Sequence, residues 1–464
     1  MLRLRQEESR QISLLDQLLP PEVLQLPEDL AKLDAWLDDE RFFEPFQDKY
    51  QRCIGRPSVP AETYLRMTAL KHQYRLSDRQ ICALVKDRIS WRLFCRIPWN
   101  KPVPHASSLT KIRQRLDADG SDHMAALNAH LVHKAKEEKL FKSRNKVRVD
   151  TTVVEANIHH PTDSSLIADT VRVVTRLVKQ VQAAAGNARS TVRDRTRSIK
   201  KRVLAITKVL KRRTGESIQE VRRITGEIAD IADKTLQAAR EVVKQLHQNA
   251  QRFTETARDE TLCLAARLEK VLTLGEQIIS QARQVNAGRL TLPERVVSLF
   301  DPEARPIKRG KVHRETEFGY KVRLTESAER LLSEYGVLRG NPPDQELLIP
   351  GIAEHIHRTS RVPEGVATDR GFWSSGNESA LKDLGVRKIS LSYKGKRSRS
   401  RAERERQSWF RRLQRWRAGQ EGTISELRRR YGLNRTLYRG LAGCRRWVGG
   451  AVWGYNLNRI AKLI

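Results

Sequence analysis

The apolar positions of the chain change period several times, and each change marks an element. Residues 1–50 carry mixed helical periodicity, interrupted at Pro20 and Pro21. Residues 59–117 read as a compact helical unit. Pro60 suits a helix N-terminus, and Ala61 to Tyr74 follows with Leu65, Met67 and Leu70 as its apolar positions. Ser77 and Gln80 have capping-box spacing ahead of a second helix through Ile81, Leu84 and Val85. Ser107 or Ser108 can cap a third, Leu109 to Leu116. At 146–154 (KVRVDTTVV) the period falls to two, with Val147, Val149, Thr151 and Val153 on one face of a strand. The following HHPTDSS reads as a turn, with Asp163 or Ser164 as N-cap of a helix from Ser165.

From Ile167 the apolar residues step by four and three, through Val171, Val174, Val178 and Val181. That is a coiled-coil seam. Similar steps recur at Ile199, Val203, Ile206 and Leu210, and at Val221, Ile224, Ile228 and Ile231. Residues 165–288 are therefore expected to be long helices packed as hairpins, turning at Gly186 and Gly215. Strand patterning then returns. Phe318 to Leu324 alternates, and Tyr335 to Leu338 can pair with it. Pro350 to Arg358 suggests a helix, and Gly365 to Asp369 a short strand ending at an acid. Trp373 to Leu384 is helical, Val386 to Leu391 is a strand, and the remainder is helical. Strands with intervening helices predict an α/β core, its first strand separated from the second by an all-helical insertion.

Charge changes the picture more than composition does. Among 464 residues, 88 are Lys or Arg and 55 are Asp or Glu, a net charge of +33. Such a surface points to a polyanionic partner and away from an ordinary small-molecule enzyme. Two tracts concentrate it. Arg189 to Arg213 holds eleven basic residues against Asp194 alone. Lys394 to Arg417 holds eleven against Glu403 and Glu405, and includes Lys394, Lys396 and Arg397. Neutralising phosphates with such residues releases counterions, so steeply salt-dependent DNA binding is expected. Trp409, Phe410 and Trp416 lie within the second tract and are read as core in preference to base-stacking groups. Cys53, Cys82, Cys95, Cys263 and Cys444 are scattered without a CxxC pair, which argues against a zinc finger or a disulfide framework. No apolar run is long enough to cross a bilayer and the N-terminus has no apolar signal core, so a soluble, cytoplasmic, nucleoid-associated protein with no membrane partner is expected.

In so basic a chain, acids at the ends of elements stand out. Asp150 lies within the first strand and Asp369 ends the strand GVATD. Glu421 opens a helical segment, EGTISELRRRYG, closed at Gly432. Three carboxylates from separate elements can converge on hard divalent cations, which prefer oxygen. Glu403 and Glu405 compete for the third place but have arginines beside them, and Glu426 reads as a solvated partner of nearby arginines. His159 and His160 fit a structural loop better than a hard-metal site. Lys321 can reach a phosphate or form the polar face of an edge strand, and Arg370, next to Asp369, can touch the scissile or flanking phosphate.

Three stretches carry a family resemblance: VRVDTTVVEANIHHPTDSSL (147–166), EFGYKVRL (317–324) with VATDRGFWSSGNESALKDLGV (366–386), and RAGQEGTISELRRRYGLNRTLYRG (417–440). They resemble bacterial insertion-sequence transposases of the DDE type, in the broad group of insertion-sequence families four and five. That family's third signature runs Tyr-x2-Arg-x3-Glu-x6-Lys. Here Arg417 and Glu421 match, Arg428 replaces the Lys with its charge kept, and Gln414 stands at the Tyr place. A general likeness extends into residues 55–117.

The resemblance implies an RNase H-like α/β core in which Asp150, Asp369 and Glu421 are catalytic and hold two Mg²⁺ (or Mn²⁺) ions. It implies a helix-turn-helix-like N-terminal domain on the terminal inverted repeats, although the same short helices could be a small bundle that enters no groove. The expected layout is a helical segment at 1–50, a DNA-binding domain at 51–140, a catalytic domain at 141–164 and 289–464, and a helical insertion at 165–288. The implied activity is cutting of element ends and joining of the 3′-OH to target DNA by a homodimer on double-stranded DNA. Lys321, Arg370, Lys394, Lys396, Arg397, Arg417 and Arg428 are the expected DNA contacts. A catalytically inactive DNA-binding relative, or a metal-dependent nuclease without strand transfer, is the alternative.

Overall fold

The computed structural model describes residues 1–5, 17–51, 54–141, 145–186, 192–211, 214–249, 255–289, 291–311 and 314–464. Cys53, and Arg189, Arg212 and Arg213 of the first basic tract, lie outside the described residues. The chain forms two compact units. One comprises Met1–Glu155 with Tyr320–Ile464, and the other Ala156–Gly319.

The first unit begins with helices. After α1 (Glu28–Leu37) come α2 (Ala61–Gln73), α3 (Asp78–Asp87), α4 (Ile89–Phe94), α5 (Ala106–Leu116) and α6 (His123–Glu137). Ser77 and Gln80 do form the capping box of α3, a device worth roughly 1 kcal/mol. Neither Ser107 nor Ser108 caps α5. His105 does, its Nδ1 accepting from the Ser107 backbone N–H, so the helix starts earlier than the sequence suggests. Strand β1 (Lys146–Glu155) follows.

The second unit holds the helical block: α7 (Asp163–Ala184), α8 (Thr196–Leu210), α9 (Gly215–Asn249) and α10 (Glu255–Asn286). The seam of α7 is buried as its period predicts, with Ile167, Val171, Val174, Val178 and Val181 all inside. Leu210, the last position of the α8 series, is instead exposed, because the helix ends there. Thr162, and neither Asp163 nor Ser164, caps α7 in a capping box with Ser165. The unit closes with a hairpin of β2 (Arg305–Lys311) on the first half of β3 (Arg314–Ser327).

Back in the first unit, the second half of β3 pairs antiparallel with β4 (Leu332–Leu338). Then come α11 (Leu348–Thr359), β5 (Gly365–Thr368), α12 (Ser375–Asp383), β6 (Lys388–Leu391), α13 (Arg399–Arg406), α14 (Ser408–Arg430) and α15 (Gly440–Leu463). The strand order in this unit is β4–β3–β1–β5–β6, with β1, β5 and β6 parallel. β1 is buried on both sides, and its alternation sorts the two faces. Val147 and Val149 join the core with Leu348 and Ile352 of α11 and Leu381 of α12. Arg148 points the other way, donating to the carbonyl of Trp416 on α14.

Glu421 does not open a helix. It lies within the 23-residue α14, which ends at Arg430 with Gly432 just beyond at φ +78°. The N-terminal helices share their core with α15, whose Trp453 stacks edge-on against Phe42 at 5.6 Å. That approach is so close that a Cβ on Gly454 would lie 2.9 Å from the backbone of His72, and one on Gly450 would overlap the His72 ring.

Candidate active site

Parallel pairing puts the carboxyl ends of β5 and β6 side by side, next to the middle of β1, and carboxyl strand ends are the usual place for a site in such sheets. The last paired couple of β1 and β5 is Val149 with Thr368. The next residue on each chain is an acid, Asp150 and Asp369. Asp150 lies on the same face of β1 as Arg148, toward α14, and its Oδ2 is 3.8 Å from the Arg417 guanidinium. Glu421, one helical turn beyond Arg417, is also 3.8 Å from that guanidinium. The sequence-predicted Asp150, Asp369, Arg417 and Glu421 thus belong to one neighbourhood. Glu421 stands at its rim, 74% exposed, whereas Asp150 is 13% exposed.

Asp369 caps the single turn Arg370–Phe372, its Oδ1 accepting from the Gly371 N–H at 2.9 Å. Burial pushes its carboxyl above the ordinary value, and the neighbouring charge of Asp344 pushes it further. The Gly371 hydrogen bond and Arg417 oppose both. Asp344 is the acid that sequence reasoning missed. Its Oδ1 accepts from Thr151 Oγ1 at 3.0 Å and pairs with Lys321 Nζ at 2.8 Å. Nothing in the NPPDQELL loop marks it, because its place comes from folding alone.

The placement of α14 rests on buried polar contacts. Arg148 pairs with Glu326 on β3 at 2.6 Å, both fully inside, and Glu326 also accepts from Thr423 of α14. Gln420 donates to the Leu324 carbonyl. Gln414, standing at the family's Tyr place, reaches the carbonyls of Thr368 and Ser390 and so ties α14 to the ends of β5 and β6. Arg428 donates to Thr152 Oγ1 and the Val153 carbonyl, which makes it a clamp on β1. Lys321 is buried, its ammonium held by Asp344 and the Pro342 carbonyl, so it is no outward phosphate ligand here.

Arg370, Lys394, Lys396 and Arg397 are exposed, the last three in the loop after β6, and Arg397 pairs with Glu405 at 3.0 Å. Glu403 and Glu426 take arginine partners as expected. Phe410 is core, while Trp409 and Trp416 are only half-buried and Trp416 lies under Lys146 and Arg148. The donor chemistry of Asp150, Asp369 and Glu421 is oxygen only, which suits a hard divalent ion. Among the described residues no group of three or more metal-ligating side chains is close enough to hold an ion as arranged. The Arg417 guanidinium lies beside these acids, with its buried Nε making no hydrogen bond.

Comparison with known proteins decides the family. A model described as Transposase domain (DUF772) matches residues 15–115, and one described as Transposase DDE domain matches residues 381–461, which include α14 and Glu421. The chain belongs to the insertion-sequence DDE transposases. This transposase is also 31% identical over 157 residues to an uncharacterised protein, ORF8 of the nfe locus of Rhizobium meliloti, covering 32% of this chain and 73% of the relative. No solved structure matches the transposase. Enzymes with DDE domains use divalent metal ions, and no helix among the transposase's described residues is long and apolar enough to cross a membrane.

Proposed function

We propose that this transposase binds the terminal inverted repeats of its insertion sequence, hydrolyses the phosphodiester at each end, and joins the freed 3′-OH to target DNA. The observation that carries this is the alignment of Asp150, within β1, with Asp369, just past the end of β5, each the residue after the last paired couple, with Glu421 linked to Asp150 through Arg417. The strand order β4–β3–β1–β5–β6, with α14 against β1, supports an RNase H-like assignment of the sheet.

Asp150, Asp369 and Glu421 would hold the metal, two Mg²⁺ or Mn²⁺ ions. Bound there, the ions would supply an activated water or 3′-OH and charge neutralisation on the leaving oxygen. The chain's own groups do the rest. Asp369 is anchored by the Gly371 N–H, Gln414 holds the strand ends to α14, and Arg417 offers a cation at the reacting phosphate. Arg370, Lys394, Lys396 and Arg397 bind flanking phosphates. Lys321 and Arg428 act as positioning residues. Exposed Arg79 and Lys86 on α3 and Lys111 and Arg115 on α5 give the N-terminal helices phosphate contacts of their own. Concerted cutting of two ends calls for a homodimer on DNA.

The test is cleavage of a duplex bearing the element end. Asp150→Ala, Asp369→Ala and Glu421→Ala are each expected to abolish cutting with Mg²⁺ while end binding persists. Retained cutting by Asp150→Ala would overturn the assignment. Pre-cleaved ends separate a transposase from a simple nuclease, since only the former joins them to a target.

A further inference from the structure

The helical unit Ala156–Gly319 distributes its charge unevenly. On α9 and α10 three arginines are matched by acids, Arg223 by Glu220 and Glu227, Arg240 by Glu276, Arg283 by Asp230 and Asp233, while Arg222 and Arg267 stand exposed and apart from one another. The groove between α7 and α8 is different. Arg172, Arg176, Lys179 and Arg197 line it, with Asp194 as its one acid. All four cations are exposed. Arg176 and Arg197 have no ion-pair partner among the described residues. Arg172 pairs with the partly buried Asp169 and Lys179 with the exposed Asp194, and an exposed pair such as the second exchanges cheaply for a stronger anion. The cationic row continues along α8 at exposed Lys201 and Lys208.

We infer that this groove of the helical unit is a second DNA-binding surface, one that takes the phosphate backbone of duplex DNA without reading its sequence. Arg172, Arg176 and Lys179 are spaced i, i+4 and i+7, so they share one face of α7. At 1.5 Å per residue they climb about 10 Å, close to the rise of about three nucleotides along one strand of a duplex. Among the described residues no aromatic side chain lines the groove itself, and the nearby Phe300 ring is covered by Arg172 at 5.8 Å. The groove therefore offers no stacking platform for unpaired bases, which single-strand binders use. The ligand is the backbone of paired DNA outside the recognised repeat. The inference leans on the reading of the chain as a DNA-joining enzyme, but its test reads binding and not cutting, so the two fail independently.

The test is the salt dependence of full-chain binding to a random-sequence duplex and to a single strand of equal length. Each lost phosphate contact flattens the log–log salt slope by about 0.9 for duplex DNA. The triple variant Arg176→Gln, Arg197→Gln, Lys201→Gln is expected to flatten the duplex slope by about 2 to 3, with a smaller change on the single strand. A control triple, Arg223→Gln, Arg240→Gln, Arg283→Gln, removes the same net charge from three acid-paired positions and should leave the slope near wild type. Equal flattening by both triples, or an equal loss on single and double strands, overturns the inference. If the groove triple loses its thermal transition, the single Arg176→Gln and Lys201→Gln variants decide, each expected to flatten the duplex slope by about 0.9 and overturning the inference if neither does.

Discussion

Asp150 and Asp369 are neighbours across two parallel strands, each the first residue past the paired couple Val149 and Thr368. They are 219 positions apart in the chain, from 150 to 369. Their side chains differ in setting. Asp150 faces the Arg417 guanidinium, whereas Asp369 is partly buried near Asp344, so the charge of Asp369 is the more costly.

Asp369→Asn is expected to raise thermal stability while abolishing cleavage. The folded-state pKa of Asp369 is raised above its unfolded value. The folded chain then binds the proton more tightly, and this group's unfavourable contribution appears as pH rises through the folded pKa. Melting curves from mildly acidic to neutral pH should show the Asn variant gaining most at neutral pH. A variant less stable than wild type throughout would refute the account.

The Arg148–Glu326 pair is fully buried and touches both Trp416 and Thr423 on α14. Arg148→Met is expected to cost about 3 to 5 kcal/mol, because Glu326 is left as an interior charge with only the more distant Arg330, at 3.9 Å, as a cationic partner. Adding Glu326→Gln should recover much of that loss. Denaturant titration of the two singles and the double measures the coupling, and additive losses would show the pair to be uncoupled.

Gly450→Ala is expected to destabilise the first unit by about 1 to 3 kcal/mol, the usual cost of overpacking. The new methyl group would overlap the His72 ring. Gly422→Ala serves as the comparison, since nothing lies within 4 Å of a Cβ built there. Equal melting temperatures for the two variants would contradict the packing described.

His355 carries a pH dependence of its own. Burial pushes its imidazole down to about 4 from an ordinary 6.5, and its Nδ1 is bonded to Ser333 Oγ. Below about pH 6.5 the unfolded chain takes up a proton that the folded chain refuses, so stability falls as pH drops from there toward 4. The full effect is about 3 kcal/mol. His355→Gln should flatten that part of the stability–pH curve, and an unchanged slope would remove His355 as its source.

Much of the architecture is legible in the chain because it depends on local period. The seam from Ile167 to Val181, the alternation of β1 and the capping box at Ser77 and Gln80 each need only neighbours in sequence. Element ends were less legible. Thr162 and His105 cap helices assigned to other residues, since several polar side chains nearby could serve and backbone geometry selects among them.

Of the candidate site, the sequence alone could nominate Asp150, Asp369 and Glu421 as acids beside basic, strand-like and helical words, and charge alone could nominate a polyanion as partner. Tertiary structure decided the rest. It set Asp150 beside Asp369 through strand register, brought Asp344 to Asp369, turned Lys321 and Arg428 into internal clamps, and left Glu421 at the rim of a long helix. The physical reason is that helix and strand periods are set by residues a few positions apart. Gathering positions 150, 344 and 369 into one neighbourhood requires a parallel sheet to form, and no local pattern encodes that pairing.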